Sequence, residues 1–192
     1  QKSDPVSLSL PKAEIQFSID NSDNAYNPNN PVGLSKYLME RQEIRSRYGY
    51  KLDTGRVEWI KGGIFYLSEW DASQNGLEAD FTARDLLEFM TQTYIEGVYT
   101  PAGVSLYSLA ELILQKANLP LNKDGSIKWV IHPSLHDITT IAPLPICTLA
   151  ECLQLIANAA CCVLYQDRSG ILHIEPVSTE DTRYGITPFN SY

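Results

Sequence analysis

Three histidines are the first residues that could bind a metal or transfer a proton. His132 and His136 lie four positions apart, the separation that puts two metal ligands on one face of a helix. Pro133 lies between them and no glutamate completes an HExxH pattern, so a metal-binding helix is not expected there. His173 alternates with apolar residues in a strand-like segment. The pattern predicts surface histidines in a loop and on a strand, and no metal site.

Four cysteines fall within one short stretch, at Cys147, Cys152, Cys161 and Cys162. No CxxC motif occurs, so the spacing typical of zinc sites and thioredoxin-like proteins is missing. A nucleophilic cysteine would need an exposed, activated thiolate beside a base such as His173, yet this stretch is the most apolar of the chain. We predict four reduced core cysteines, typical of a reducing cytoplasm. A disulfide between the first two is the alternative.

Carboxylates that could work as an acid–base pair cluster in one place. Glu69, Asp71, Glu78 and Asp80 lie on or beside neighbouring predicted strands and could face one another. Solvated strand ends explain the same pattern. The sequence contains no GxGxxG, GxxxxGK[ST] or GxSxG motif to bind phosphates or present a nucleophile. We therefore predict no catalytic, cofactor-binding or metal-binding residues, and a protein that is not an enzyme.

The segment DNSDNAYNPNNP at 20–31 is rich in oxygen-bearing side chains that could bind calcium. An EF-hand loop needs glycine at its sixth position and an acid at its twelfth. Those positions hold Ala25 and Pro31. Asparagine, aspartate and proline at this density are typical of turns that end a strand, so an ordered turn is the prediction.

The balance of charge argues against nucleic acid as the main partner. The chain has 15 Lys and Arg against 23 Asp and Glu, a net charge of −8, which opposes binding to a phosphate backbone. A local basic patch is an alternative at Arg41, Arg45, Arg47, Lys51 and Arg56, but the same residues are explained by the solvated face of a sheet. No apolar run reaches the roughly 18 to 20 residues that span a bilayer. The chain does not begin with methionine, as expected of a trimmed chain, and an original leader stays open.

Alternating apolar residues predict a β-rich first half. Residues 13–19 alternate strictly, as in a half-buried strand. Further elements are predicted as strands at 43–50, 57–60, 64–70 and 77–81, a break or bulge at 61–63, and a short helix at 34–40. Leu77 is expected to point inward, and Thr82 to cap a helix with Asp85 at its third position. Five short strands at close spacing are typical of a small barrel or sandwich.

The second half is predicted to contain two similar helices on a small sheet. SLAELILQKAN at 108–118 and TLAECLQLIAN at 148–158 share Leu, Ala, Glu, Ala and Asn in one register, and each begins with a capping box. Internal duplication and convergence on a capped amphipathic helix both explain the match. Strands are predicted at 127–131, near 138–141, and in a hairpin at 162–175.

The predicted fold class is therefore α+β. A small β-barrel domain is followed by a small α/β domain with two helices packed on a short sheet. The tyrosine-rich connection at 91–103 marks the boundary, which divides the chain into 1–95 and 96–192. Residues 178–192 are consistent with the start of a further, missing barrel.

Four short motifs occur in a fixed order along these elements. They are a turn N-x-x-x-x-[FY]-N/S-P, a strand G-x-[FY]-Y-[IL], a helix start T-A-x-D and a hairpin Y-x-D-x-x-G-x-L. The matching residues are 21–28, 63–67, 82–85 and 165–172. Each motif alone is generic, but their joint order, over about residues 13–178, resembles the tail (baseplate) hub proteins of phages and prophages.

The resemblance implies a structural role. Hub proteins form a ring, commonly a trimer with two barrels per subunit, that joins the tail tube to the spike or tip. A similar chain is expected in the virion tail, made in the bacterial cytoplasm, with copies of itself and other tail proteins as partners and with no cofactor, nucleic acid or membrane span. Only one barrel is predicted here, so a complete ring is not implied. The alternative is a tail-associated or secreted carbohydrate-binding β module, in which Trp59 and Trp70 would offer stacking faces.

Overall fold

The structure, a computed structural model, describes residues 10–72 and 77–177. Its fold class is α+β, which confirms the sequence prediction: a curled half-barrel sheet precedes a smaller region of helices and short sheets. The strands are β1 (Glu14–Asp20), β2 (Glu43–Lys51), β3 (Val57–Asp71), β4 (Glu78–Arg84), β5 (Thr93–Tyr94), β6 (Trp129–Ile131), β7 (Cys147–Thr148), β8 (Cys162–Gln166) and β9 (Leu172–Pro176). The helices are α1 (Leu106–Ala117) and α2 (Leu149–Ala159), with 3₁₀ turns at Ser35–Tyr37, Leu86–Met90, Ile95–Tyr99 and Pro133–His136. The predicted start of a further barrel at 178–192 lies outside the described residues.

The half-barrel is an antiparallel sheet in the order β1–β4–β3–β2. β1 alternates between half-buried and exposed residues, as its sequence predicts. Among the described residues β1 pairs only with β4, and β2 only with β3, so both are edge strands. The predicted small barrel therefore takes the form of an open half-barrel with two unpaired edges.

β3 is one continuous strand where the sequence predicts two. Its register against β2 shifts at Gly62: Ser46 pairs with Gly63, but Arg47 pairs with Lys61. Gly62 is the extra residue of a β-bulge, and a Cβ there would collide with Ser46 Oγ. Gly62 and Gly63 thus bend the strand without ending it, and the predicted break or bulge at 61–63 is a bulge.

The half-barrel has a thin core on one face. Leu67 and Phe81 are buried there, and Phe17 stacks on Phe81 with 5.2 Å between ring centroids. Tyr26, from the connection between β1 and β2, meets Phe81 edge-on. Leu77 is 71% exposed. The prediction that it points inward is wrong, because it lies before the first paired residue of β4.

Asp85, and not Thr82, caps the 3₁₀ turn that follows the sheet. β4 continues through Arg84 because its pairing with β1 extends that far, so Thr82 is still part of the strand. Asp85 Oδ1 accepts the backbone N–H of Leu87, and Oδ2 accepts that of Ala13 at 2.5 Å. Burial raises the pKa of this carboxyl to about 6, against the opposing effect of these two hydrogen bonds. The side chain fastens the beginning of the described chain to the helical region.

The two helices begin differently. α2 has the predicted capping box: Thr148 Oγ1 accepts the N–H of Glu151, whose Oε2 accepts the N–H of Thr148. α1 begins one turn earlier than predicted, with Ser105 as its cap accepting the N–H of Ser108. The prediction of a capping box at Ser108 is therefore wrong, since that residue lies inside the helix.

A three-stranded sheet in the order β6–β9–β8 supports the helices, with β6 parallel to β9 and the predicted hairpin formed by β8 and β9. The strand predicted near 138–141 is not part of it. Thr139 forms a single bridge with Ser105, and the N–H of Leu106 donates to the carbonyl of Ile138. Because the backbone of this segment bonds to the residues that begin α1, it does not join the sheet. The same bonds explain why α1 begins earlier than predicted.

The main apolar core lies between α1, α2 and the three-stranded sheet. The two helices bury equivalent positions of their matched sequences, at 109, 110, 113 and 117 in α1 and at 149, 150, 153 and 157 in α2. Leu86, Leu87 and Met90 join the same core from the 3₁₀ turn after β4. The domain boundary at residue 95 stays a prediction. Within residues 10–72 and 77–177, no helix combines the length and apolar character needed to cross a bilayer.

Candidate interaction surface

The structure gives the three histidines local contacts. His132 caps the 3₁₀ turn at Pro133–His136, and its Nδ1 accepts the N–H of Ser134 at 3.2 Å. The ring of His136 stacks on Tyr107 at 3.9 Å between centroids. His173 stacks on the Tyr165 ring across the hairpin. Within the described part of the chain, no group of three or more His, Cys, Asp or Glu could hold a metal ion.

The cysteines are free thiols, and burial makes two of them poor nucleophiles. Cys147 Sγ and Cys152 Sγ lie 3.1 Å apart without a disulfide. Burial raises the pKa of the Cys152 thiol to about 12, and it also raises the pKa of Cys162. Cys161 is exposed, so the prediction of four core cysteines is wrong at this position. It follows the end of α2 in a left-handed turn, with φ of 52°, and takes no part in the helix face.

The Asn-rich segment folds as the predicted ordered turn. Its backbone forms successive i to i+3 hydrogen bonds, from the N–H groups of Asn24, Asn27 and Asn30 to the carbonyls three residues earlier. The carboxylates of Asp20 and Asp23 accept backbone N–H groups two residues on, as in Asx turns. These side-chain oxygens are used to shape the turn.

The carboxylates at 69, 71, 78 and 80 do lie on one exposed face of the half-barrel. Asp71 and Asp80 are direct cross-strand neighbours, and Asp20 of β1 is opposite Glu78. Glu69 approaches Arg84 at 3.4 Å, and Asp80 accepts the hydroxyl of Ser18 at 2.6 Å. No ion pair joins the other three to a described residue. We call this group the acidic corner: Asp20, Glu69, Asp71, Glu78 and Asp80.

The arginines and lysines of β2 and β3 form a second group on the same face. Glu43 pairs with Tyr66, and Tyr66 with Arg84, so alternate residues of β2 share a face with the acidic corner. Arg168, on the turn between β8 and β9, lies against these residues and closes a cleft of about 210 Å³. We call the group the basic corner: Arg45, Arg47, Lys51, Lys61 and Arg168.

Of the basic patch considered from the sequence, Arg45 and Arg47 line the cleft. Arg41 lies elsewhere, with its guanidinium 4.8 Å from the centre of the Phe89 ring. The remaining lining includes Asn122 and Ile64. The contribution of Arg168 has no signal in the sequence, because it comes from a turn more than a hundred residues away from the β2 arginines.

A buried cation connects the half-barrel to the helical region. Lys128 is 2% exposed; its Nζ donates to Glu43 Oε2 at 2.9 Å and to Tyr66 Oη at 2.7 Å. Burial alone would lower the pKa of Lys128, but hydrogen bonds to these two partners outweigh it and raise that pKa. Gln166 adds a second link, donating to the carbonyl of Ile64 and accepting the N–H of Leu86. Both contacts position the β8–β9 turn, and with it Arg168, against the sheet.

Beyond the basic corner, the hairpin of β2 and β3 exposes large apolar side chains. They are Tyr48, Tyr50, Val57, Trp59 and Ile60. Trp59 is 64% exposed, with its ring over Gly49, whereas Trp70 is half-buried against the thin core. The hairpin thus combines cations, aromatic surface and an unpaired edge, which are typical of a protein-binding surface.

Comparison with solved structures finds several similar chains, among them a prophage protein. The chain is similar to the 43 kDa tail protein of prophage MuSo2 from Shewanella oneidensis, with 15% sequence identity, a TM-score of 0.44 and coverage of 88% of this chain. The chain spans half the length of that protein, 50%. No protein-family model and no curated protein sequence matches.

Proposed function

We propose that this chain is a structural and assembly protein of a bacteriophage or prophage tail. In this proposal it is a hub-like component that forms subunit interfaces at the junction of tail tube and tip, with no catalytic role. The observation that carries the proposal is the joint order of the four motifs, because each one occupies a different element. The first motif fixes the turn after β1, and the other three contribute contacts between the half-barrel and the helical region.

The motif residues make this connection through specific contacts. Asn21 is fully buried, and its Oδ1 accepts the N–H of Tyr26, which fixes the turn after β1. Asp85 ends the sheet and caps the next turn. Gly170, with φ of 79°, lies so close to Ile64 that a Cβ would come within 3.0 Å of the Ile64 Cβ. These are positional roles, and they support a scaffold.

The available interfaces suit self-assembly and docking to other tail proteins. Among the residues that the structure describes, β1 and β2 each have an edge of unpaired backbone groups that a neighbouring chain can use. The exposed apolar hairpin next to β2 supplies contact area. We propose that the full-length protein forms a homo-oligomer, a trimer as in hub proteins.

The test is to look for the chain in particles. A strain carrying the gene is treated with a DNA-damaging agent, released particles are purified, and their tryptic peptides are identified by mass spectrometry. Gold-labelled antibody against the chain is then located by electron microscopy, with a gene-deleted strain as control. We expect label at one end of the tail. Absence of the peptides from intact particles contradicts the proposal, and label along the tube contradicts the hub position.

A carbohydrate-binding module is the second candidate, and exposed Trp59 is the observation that favours it. Aromatic rings of this exposure provide stacking faces for sugars. A glycan array probed with the chain and with Trp59→Ala tests it. Binding that is lost in the variant supports this candidate, and an array without signal removes it.

A further inference from the structure

The half-barrel carries its two charged corners on one face but far apart. Lys61 and Asp71 lie ten residue steps apart along β3, a rise of at most about 33 Å at about 3.3 Å per residue. This exceeds the Debye length of about 8 Å at physiological ionic strength. The corners therefore cannot neutralise each other within one molecule.

The basic corner is short of counter-charges among the residues that the structure describes. Arg45 is bound to Glu43 at 2.6 Å, but no ion pair joins Arg47, Lys61 or Arg168 to any residue in the described ranges. In a chain of net charge −8, three unpaired cations around one cleft are an unusual concentration. They define a site for anionic groups supplied from outside.

The size of the cleft indicates what those anionic groups are. Its volume of about 210 Å³ is below the roughly 300 to 1,000 Å³ of pockets that enclose whole small-molecule ligands. It is large enough for one or two carboxylate side chains, which arginine binds in a bidentate way. Trp59 and Val57, on the same face beside the cleft, add apolar surface of the kind found at the centre of protein interfaces.

We propose that the basic corner binds the acidic corner of a second copy of this chain. The inference deepens the proposed function and rests on its self-assembly part. Five cations meet five carboxylates in this arrangement, and each corner lies next to or on a free sheet edge, β2 for the basic corner and β1 for the acidic one. Because both corners lie on one face, an isologous contact would join each basic corner to the acidic corner of the other copy, whereas a head-to-tail contact would use one corner of each copy.

Head-to-tail contact has a consequence for assembly. Each copy that uses its basic corner still has its acidic corner free, so association continues into a closed ring or an open chain. An isologous contact stops at a dimer instead, so the size of the wild-type assembly in sedimentation velocity distinguishes the two arrangements.

The test uses two variants of the purified chain, each with one altered corner. Arg47→Glu with Lys61→Glu reverses the basic corner, and Asp71→Asn with Asp80→Asn neutralises the acidic one. We expect each variant alone to be monomeric by sedimentation velocity, and an equimolar mixture to form a one-to-one dimer and nothing larger. The wild-type chain is expected to self-associate at about 50 mM salt, and about tenfold more weakly at about 500 mM.

A control variant changes the same charge elsewhere. Lys12→Glu with Lys36→Glu alters two exposed lysines outside both corners and is expected to associate like the wild type. Circular dichroism and thermal melting confirm that all variants are folded. A wild-type chain that stays monomeric at about 500 μM, association that is insensitive to salt, or a mixture without heterodimers overturns the proposal. Because only the purified chain is used, these failures are separate from failure of the particle test.

Nucleic acid is the competing ligand for a surface with cations beside an exposed aromatic ring. A fluorescent single-stranded oligonucleotide is titrated with the wild-type chain and the reversed basic-corner variant, and anisotropy is measured. Absence of binding at about 150 mM salt supports the proposal. The proposal is overturned if the wild-type chain binds the oligonucleotide, the variant does not, and the wild-type chain fails to self-associate.

Discussion

The half-barrel and the helical region use their side chains in opposite ways. Around α1 and α2 the apolar residues are buried in one continuous core, while the half-barrel has only a thin core and exposes large apolar and charged residues on β2 and β3. Since burial of apolar surface is the main stabilising contribution to folding, stability is concentrated in the helical region. The half-barrel offers the surface available to partners.

The largest expected effect tests whether stability is concentrated in the helical region, by making the same substitution in both regions. Leu153→Ala, at a fully buried position of α2, is expected to lower the free energy of unfolding by about 3 to 5 kcal/mol through lost burial and the cavity left behind. Leu77→Ala, at an exposed position before β4, is the matched control and is expected to cost less than about 0.5 kcal/mol. Urea unfolding followed by circular dichroism measures both. Similar losses would contradict the comparison.

A second test concerns the carboxyl that links β1 to the helical region. The pKa of Asp85 is about 6 in the folded chain, above its ordinary value of 3.8, so folding favours its protonated form. This contribution to stability is complete below about pH 4 and is lost as pH rises through about 6. The asparagine that replaces it in the variant Asp85→Asn does not titrate. As the pH rises from 4 to 7, the free energy of unfolding of the wild type is therefore expected to fall by up to about 3 kcal/mol relative to that of the variant. Urea midpoints across that range measure it, and a flat difference contradicts the buried position of Asp85.

The smallest expected effect comes from the junction of the two regions. Lys128→Met keeps the length and volume of the side chain but removes its hydrogen bonds to Glu43 and Tyr66. Hydrogen bonds to charged groups contribute about 1.5 to 3 kcal/mol. Because Glu43 keeps Arg45 as a partner, we expect a loss of about 2 kcal/mol. A double-mutant cycle with Tyr66→Phe, measured by urea unfolding, should give a positive coupling energy; additive losses would show that the contact is not formed.

The sequence predicts local features better than pairings. The capping box of Thr148 and Glu151 and the alternation of β1 depend on residues close in the chain, and both are present. Whether β3 would break or bulge at Gly62 depends on its partner strand, since the register shift is defined only against Ser46 and Arg47. The earlier start of α1 likewise depends on residues 138–140, which are more than thirty positions away.

The same distinction applies to the candidate surface. Four members of the acidic corner, at 69, 71, 78 and 80, could be suggested from the sequence because they lie close together in it; Asp20 joins them only through the pairing of β1 with β4. The basic corner could not be completed, since Arg168 reaches it through the β8–β9 turn and the contact of Gly170 with Ile64. The burial of Lys128 also leaves no signal, because its partners Glu43 and Tyr66 come from the other region.

The pairing of β1 with β4 also sets an order of events during protein synthesis. β1 ends at Asp20 and its partner β4 ends at Arg84, so 64 further residues (84 − 20) must be added after β1 is complete. At about 5 to 20 residues per second this takes about 3 to 13 seconds. During that interval Ile15, Phe17 and Ile19 form an apolar face without its partner strand, and such transiently exposed apolar surface favours aggregation. Within the half-barrel sheet, the strand that is translated first is therefore paired only when the last strand, β4, is complete.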